Sequence, residues 1–146
     1  MITIRAIEPS DFDAWSQLYD GYAEFYRVPM NDDIKSNLWG WLMDQNHETE
    51  GLIALLDGEA CGLAHFRRMP SPLRGMDIGF LDDLFITPTA RGNKIGQALF
   101  DELAKIAKDK GWPKIRWITA DDNYRARALY DQLSTKTMWN TYEMEI

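Results

Sequence analysis

The sequence predicts a mixed α/β domain in which an antiparallel half precedes a strand, helix and strand crossover. Three observations carry that expectation. Two β-prone runs, Gly51 to Leu56 and Ala60 to Arg68, are joined by Asp57-Gly58, a pair suited to a two-residue hairpin turn because both positions need φ > 0. The stretch Phe80 to Ala107 reads FLDDLFITPTARGNKIGQALFDELAKIA and passes from a strand pattern, through a loop with Pro and Gly, to apolar residues at helical spacing. A third segment, Lys114 to Thr119, places Ile115, Trp117 and Ile118 in a further strand. At 146 residues one domain spanning 1–146 suffices to bury a continuous core.

The elements follow in order. Thr3 to Ile7 alternates like a first strand, and Ser10 is the expected N-cap of a helix whose face repeats Phe12, Trp15, Leu18, Tyr19, Tyr22, Phe25 and Tyr26. Pro29 ends it. Asn31 is placed to cap a second helix with Ile34, Leu38, Trp41 and Leu42 on one side. After the hairpin, Met69 to Gly79 holds two prolines and two glycines and reads as a loop. Phe80 to Ile86 is the central strand. The helix after it buries Ile95, Ala98, Leu99, Leu103, Ile106 and Ala107, carries Lys108 and Lys110 in its last turn, and stops at Gly111 and Pro113. Asp121-Asp122-Asn123 opens a last helix with Ala126, Leu129, Tyr130 and Leu133 inward, and Thr137 to Ile146 reads as one or two terminal strands.

Composition excludes several classes. The single cysteine, Cys61, has no disulfide partner, the N-terminus lacks the basic and apolar regions of a signal peptide, and a cytoplasmic protein is expected. No apolar run approaches the roughly twenty residues of a membrane-spanning helix. A net charge of −7 argues against general attraction to nucleic acid and favours cationic partners. His47 and His65 stand alone, without metal-ligand spacing, so neither a zinc site nor a Cys-His nucleophile is expected and both are read as structural.

The loop from Thr87 to Gly96 suits an anion. At a helix N-terminus several N–H groups lack intrahelical partners and the helix dipole adds positive charge, so a phosphate completes their bonding. Gly92 and Gly96 allow close approach to the backbone, and Arg91 and Lys94 add full charges. The familiar nucleotide motifs fail. Gly96 is followed by Gln97 rather than by Lys-Ser or Lys-Thr, and only two glycines stand where a dinucleotide fingerprint needs three.

A second stretch, Asn123-Tyr124-Arg125-Ala126-Arg127-Ala128-Leu129-Tyr130, changes the reading. Together with Arg91-Gly92-x-x-Ile95-Gly96-x-x-Leu99 it resembles the GNAT superfamily of N-acetyltransferases. The resemblance covers nearly the whole chain in element order and is specific at Leu81 to Leu99 and Asn123 to Tyr130. Leu81 to Ile86 and Tyr22 to Tyr26 look most like the small-amine and polyamine branch that includes the yeast Hpa-type enzymes. The implied fold is a GNAT-like central, mostly antiparallel sheet flanked by helices, with a parallel strand pair splayed at the acetyl-CoA site. The implied activity is acetyl-CoA-dependent transfer to a primary amine, most often a small cationic one, by direct attack in a ternary complex. The alternatives are a protein lysine or N-terminal acetyltransferase, and a non-catalytic acyl-CoA-binding regulatory module. The implied co-substrate is acetyl-CoA without a metal, and the implied partners are the small-molecule amine and a second copy of the chain, with neither nucleic acid nor membrane.

The resemblance also implies roles. Leu84, Phe85 and Ile86 would offer main-chain groups to the pantetheine arm and thioester carbonyl. Arg91, Gly92, Asn93, Lys94, Ile95, Gly96 and Gln97 would hold the pyrophosphate, Asn123 the pantetheine arm, and Tyr130 would sit by the sulfur. Two departures stand out: Lys94 replaces the family's usual Gly, and the Gly-Phe that often follows the last helix is absent, which bears on any dimer built on the last hairpin.

The chemistry needs a base, since an aliphatic ammonium with a pKa of about 10 is almost wholly protonated near neutrality. Asp82, Asp83 and Glu24 are the candidates to bind the cation and accept its proton. Strand alternation sends Asp82 and Asp83 to opposite faces, and Asp82 looks like the substrate-contacting acid of the polyamine branch. Asp83 is read as a structural acceptor, and Glu24 as either a solvated helix face or a substrate contact. Tyr130 is the candidate proton donor to the thiolate, otherwise a core aromatic. Tyr22 and Tyr26 are core residues that also suit an amine pocket through cation–π contact.

Overall fold

The computed structural model describes residues 1–146. Five strands lie side by side in sequence order: β1 (Ile2–Ala6), β2 (Thr49–Leu56), β3 (Glu59–Ser71), β4 (Met76–Ile86) and β5 (Ile115–Arg116). The first four pair antiparallel and β5 joins β4 in parallel. Helices α1 (Phe12–Tyr26) and α2 (Asp32–Met43) cover one face, with Trp15, Leu18, Tyr19 and Leu38 packed on Ile53, Leu63 and Phe85. Helix α3 (Ile95–Lys110) covers the other through Leu99 and Leu103, against Leu52, Ala64, Phe66 and Leu81. Helix α4 (Tyr124–Leu133) adds only half-buried Leu129 and Tyr130 to that side. The expected mixed α/β architecture with a parallel pair is therefore the observed one. No helix is long and apolar enough to cross a membrane.

Local chemistry accounts for most boundaries. Asn31 caps α2 by accepting from the Ile34 N–H at 2.9 Å. The β2–β3 turn places Asp57 at φ 52° and Gly58 at φ 86°, as a two-residue hairpin requires. Gly111, at φ 75°, ends α3 by donating to the carbonyls of Ala107 and Lys108. Helix α1 stops at a left-handed Arg27, two residues before Pro29.

Five expectations are corrected. Ser10 caps nothing: Asp11 and Glu8 form a capping box, and Arg5 clamps the Asp11 carboxylate with bonds of 2.7 and 2.9 Å. Met69 to Gly79 is mostly strand, because β3 and β4 run on together to Ser71 and Met76 around a short turn. Pro70 is tolerated there since β2 pairs with β3 only as far as Arg67, which leaves its missing N–H on an open edge. The strand expected over Lys114 to Thr119 shrinks to Ile115–Arg116, as β4 and β5 part after Phe80. Thr137 to Ile146 forms no strand at all, since none of its residues makes a backbone–backbone hydrogen bond.

The fifth correction concerns the paired acids. His65 faces Asp83 across the β3–β4 ladder and Phe66 faces Leu81, so Asp82 is an extra residue in a β-bulge. The bulge resets the alternation. Asp82 and Asp83 both turn toward the α1 side, Asp83 to His65 and Tyr19, and Asp82 to Arg67, which lies two residues after His65 on β3.

Candidate active site

The parting of β4 from β5 opens a wedge whose floor is strand backbone. Thr87 N–H donates to the Cys61 carbonyl at 2.8 Å, which fixes the phase of the ladder: Phe85 bonds to β3, while the main-chain groups of Leu84 and Ile86 face the wedge. Beyond the strand, a 3₁₀ turn at Pro88–Ala90 feeds the start of α3. The N–H groups of Gly92, Asn93, Lys94, Ile95, Gly96 and Gln97 have no backbone partner. Six successive donors at a helix N-terminus make an anion site.

The conformation of this loop is demanding. Gly92 sits at φ 86° and Lys94, the residue that caps α3, at φ 62° and ψ 26°. A Cβ on Gly96 would lie 3.0 Å from Leu129 Cδ2 and 3.4 Å from Ile86 Cδ1. Glycine there lets α3 and α4 close on the wedge from both sides. Asn93 turns its amide back to the Ala90 carbonyl at 2.9 Å and so braces the loop.

Around the wedge lies a cavity of about 340 Å³. Of the residues expected from the sequence it gathers Tyr26, Leu84, Phe85, Ile86, Arg91, Gly92, Lys94, Ile95, Gly96, Gln97, Asn123 and Tyr130. Asn93, Tyr22, Glu24 and Asp82 are outside its lining. Phe25, Ala90, Arg125, Ala126 and Leu129 line it without having been anticipated. Arg125 adds a third cation and Phe25 carries the Arg91 guanidinium on its ring at 4.9 Å. Phe25 and Leu129 were visible only as members of apolar helix faces; nothing local marks which end of such a face meets a ligand.

Asn123 caps α4 by accepting from the Ala126 N–H at 3.4 Å, which turns its amide N–H₂ toward the Tyr26 hydroxyl at the cavity wall. The Tyr130 ring packs against Phe100 and Trp117 at 5.8 and 5.4 Å between centroids, and its hydroxyl has no side-chain or backbone partner. Burial, with a smaller contribution from Tyr26, pushes that hydroxyl up to about 12, so it stays protonated and can donate. Burial likewise raises Tyr26.

Behind the cavity, on the α1 side, lies a closed polar network. Trp15 Nε1–H donates to His65 Nε2 at 2.9 Å; since an indole N–H only donates, the imidazole proton sits on Nδ1 and is given to Asp83 at 2.8 Å. The Tyr19 hydroxyl donates to the same carboxylate at 3.0 Å. Burial alone would raise Asp83, but the bonds from His65 and the tyrosines outweigh it and hold the group below the ordinary carboxylate range. Asp82 is the opposite case. Its partial burial raises it, against the Arg67 guanidinium bonded at 3.0 Å, and it keeps contact with solvent. Glu24 is exposed on α1.

The profile of the Acetyltransferase (GNAT) family matches residues 15–134. The chain belongs to that family. GNAT enzymes use acetyl-CoA, and the wedge, the donor-rich helix start and Tyr130 of this GNAT domain lie within the matched region. Over 138 residues the chain is 28% identical to the D-amino-acid N-acetyltransferase HPA3 of Saccharomyces cerevisiae, covering 93% of this chain and 86% of that protein. It is 31% identical over 106 residues to a thialysine N-epsilon-acetyltransferase of Caenorhabditis elegans, covering 69% and 66%. Among solved structures, AAC(6')-Iy in complex with the bisubstrate analogue CoA-S-monomethyl-acetylneamine shares the fold, with TM-score 0.85 at 17% identity over 100% of this chain and 98% of that one.

Proposed function

We propose that this acetyltransferase moves the acetyl group of acetyl-CoA to the primary amine of a small cationic molecule, by direct attack while both substrates are bound. The observation that carries the proposal is the continuity of one cavity from the α3 start, where five of the six residues with unpartnered N–H groups line it, to the Tyr130 hydroxyl. The first end fits a pyrophosphate and the second a sulfur leaving group. Arg91, Lys94 and Arg125 add charge at the phosphate end. Leu84 and Ile86 would hold the pantetheine arm by strand-like bonds, with the Asn123 amide as a further donor. The names of relatives that act on D-amino acids and thialysine favour a small amine over a protein lysine.

Acetyl-CoA supplies the activated thioester carbonyl. In this chain, a main-chain N–H at the β4 end stabilises the negative charge that grows on the carbonyl oxygen, and Tyr130 donates to the departing sulfur. Asp82 takes the proton of the ammonium through water: a carboxylate raised by burial and still open to solvent is a better acceptor than Asp83, whose lone pairs are already engaged. Tyr26 lines the cavity and Tyr22 lies behind it, ring to ring at 4.6 Å, offering aromatic faces to the cation.

Calorimetric titration with CoA, followed by an acetyl-CoA consumption screen across D-amino acids, thialysine, polyamines, aminoglycosides and basic peptides, tests the proposal. Binding of CoA together with turnover of a small amine is the expected result. Absence of CoA binding removes the whole reading, and turnover of peptides alone removes the small-amine part.

A further inference from the structure

Two side chains of the polar network behind the wedge, Trp15 and His65, have no part in the transfer chemistry and are 0 and 1% exposed. They sit in the middle of an apolar face, where Trp15, Leu18 and Tyr19 pack on Ile53, Leu63 and Phe85. An aliphatic side chain would suit position 65, whereas a buried imidazole has two nitrogens to satisfy. Both are satisfied, and the bonds have a direction. Trp15 donates to Nε2, Nδ1 donates to Asp83, and Tyr19 donates to the same Asp83 oxygen, Oδ2. Two donors converging on one oxygen, from β3 and from α1, leave the carboxylate a single orientation.

The network does not end in the core. Trp15, Tyr19, Tyr22 and Tyr26 recur every three or four residues along α1 and form a ring-to-ring series with centroids 5.6, 5.4 and 4.6 Å apart. Its far member, Tyr26, lines the cavity. Its middle members are tied to the anion, Tyr19 by the bond of 3.0 Å and Tyr22 by a hydroxyl that is also directed at Asp83. His65 stands edge-on to Tyr19 at 4.9 Å between ring centroids. A phenol that donates to a carboxylate gains electron density in its ring, and a richer ring attracts a cation more strongly. The imidazole thus reaches the acceptor wall in two steps, through Asp83 and then through the tyrosines.

We propose that His65, braced by Trp15, is a positioning residue for the acceptor amine: it holds the Asp83 carboxylate in the one orientation that gathers Tyr19 and Tyr22, and so sets the aromatic wall that receives the ammonium. This rests on the acetyltransferase reading, with Tyr22 and Tyr26 as the faces offered to the cation. His65 itself touches no substrate, since Trp15, Tyr19 and Asp83 enclose its ring. Disturbing it should weaken the acceptor and spare acetyl-CoA, because the N–H donors of α3 and the Tyr130 of α4 lie on the other face of the sheet.

The chain has two histidines, so their tautomers can be read one by one. Long-range proton–nitrogen NMR of the wild-type chain at about pH 8.5, where an ordinary imidazole is neutral, makes that measurement. His47 Nδ1 accepts from the Thr49 N–H at 3.0 Å, so its proton is expected on Nε2, and that of His65 on Nδ1. A mixed or Nε2-protonated His65 overturns the proposal. Steady-state kinetics then use whichever of thialysine, spermidine and D-lysine the wild-type chain acetylates fastest. Trp15→Phe keeps a ring and removes the N–H, and His65→Asn keeps a donor for Asp83; each is expected to raise KM for the amine by about fivefold. His65→Leu should raise it further. KM for acetyl-CoA is expected to stay within about twofold in all three. If His65→Leu does not fold, Trp15→Phe and His65→Asn decide on the same readout. An amine KM that stays at the wild-type value in both overturns the proposal, as does a parallel loss of acetyl-CoA affinity, which marks a role in the fold alone. Absence of amine turnover by the wild-type chain removes the acetyltransferase reading and this one with it, whereas wild-type turnover with an unmoved KM in the variants removes this one alone.

Discussion

Lys94 separates the cost of a conformation from the value of a charge. Its φ of 62° and ψ of 26° lie in the left-handed region, which costs an L-residue about 1–2 kcal/mol and glycine almost nothing. Substituting Gly relieves that cost but frees the unfolded chain by about 0.5–1 kcal/mol. The net expectation for Lys94→Gly is a gain of about 0.5–1 kcal/mol, or roughly 1–3 °C in Tm for a domain of this size. Lys94→Gln keeps the strained backbone and loses only the charge, so its Tm should match the parent. Both variants remove one cation from beside the six N–H donors. An exposed charge–phosphate contact is worth about 1 kcal/mol, so CoA should bind about fivefold more weakly in both, with the gap narrowing in high salt as the charge is screened. Urea or thermal unfolding measures the first effect and calorimetry at two ionic strengths the second. A Gly variant less stable than the parent would refute the backbone argument; equal CoA affinity in all three proteins at low salt would refute the electrostatic one.

Other expectations follow from the same geometry. Tyr130→Phe should lower kcat by about 10–100-fold with little change in acetyl-CoA binding, since only a donor to the leaving group is lost; unchanged turnover in single-turnover kinetics removes Tyr130 from the mechanism. Arg67→Met should move the acid limb of the kcat/KM profile upward, because the carboxylate form of Asp82 is required, activity falls as pH drops through its pKa, and Arg67 is what opposes the raising effect of burial; a limb that stays in place excludes Asp82 as the base. Asp11→Asn should cost about 2 kcal/mol at neutral pH through lost charged hydrogen bonds. The Arg5 bond holds Asp11 below the ordinary carboxylate range, so this contribution is present above about pH 4 and disappears as pH falls through the depressed folded pKa; denaturant midpoints across pH check it. Gly96→Ala should weaken CoA binding and cost about 1 kcal/mol by pressing on Leu129 Cδ2 at 3.0 Å, and Leu129→Ala in the same chain should restore the fit.

What was legible in the sequence was local chemistry. Asp57-Gly58 dictates its turn by backbone sterics, Asn31 and Asn123 cap helices with their own side chains, and the amphipathic repeats of α1 and α3 state which faces are buried. The anion end at Arg91 to Gln97 was legible because helix starts donate N–H groups whatever the side chains are, whereas Asn123 to Tyr130 came from the resemblance to the GNAT superfamily and not from local chemistry. Features that depend on a distant strand were not legible. Pro70 looked like a breaker because nothing nearby tells that β2 stops at Arg67 and leaves the edge free. His65 looked isolated, since Trp15 and Asp83 reach it only across the fold. Thr137 to Ile146 had the pattern of a strand, but alternation alone does not supply the backbone pairing, and the segment makes none.

The bulge at Asp82 determines more than the direction of one side chain. Were the same sequence paired in a regular ladder without the bulge, the alternation set by Leu81 would put Asp83 among Leu99, Leu103 and Phe66, in a core with no polar partner for it. By resetting the count, it makes a single strand obey two phases, with apolar residues toward α3 on both sides of a short acidic stretch that belongs wholly to the other face. The identity of the acid open to solvent is thus a matter of counting. Deleting either aspartate gives the same strand, in which the bulge closes, the one remaining acid faces His65 as the buried anchor, and the acid open to solvent is lost.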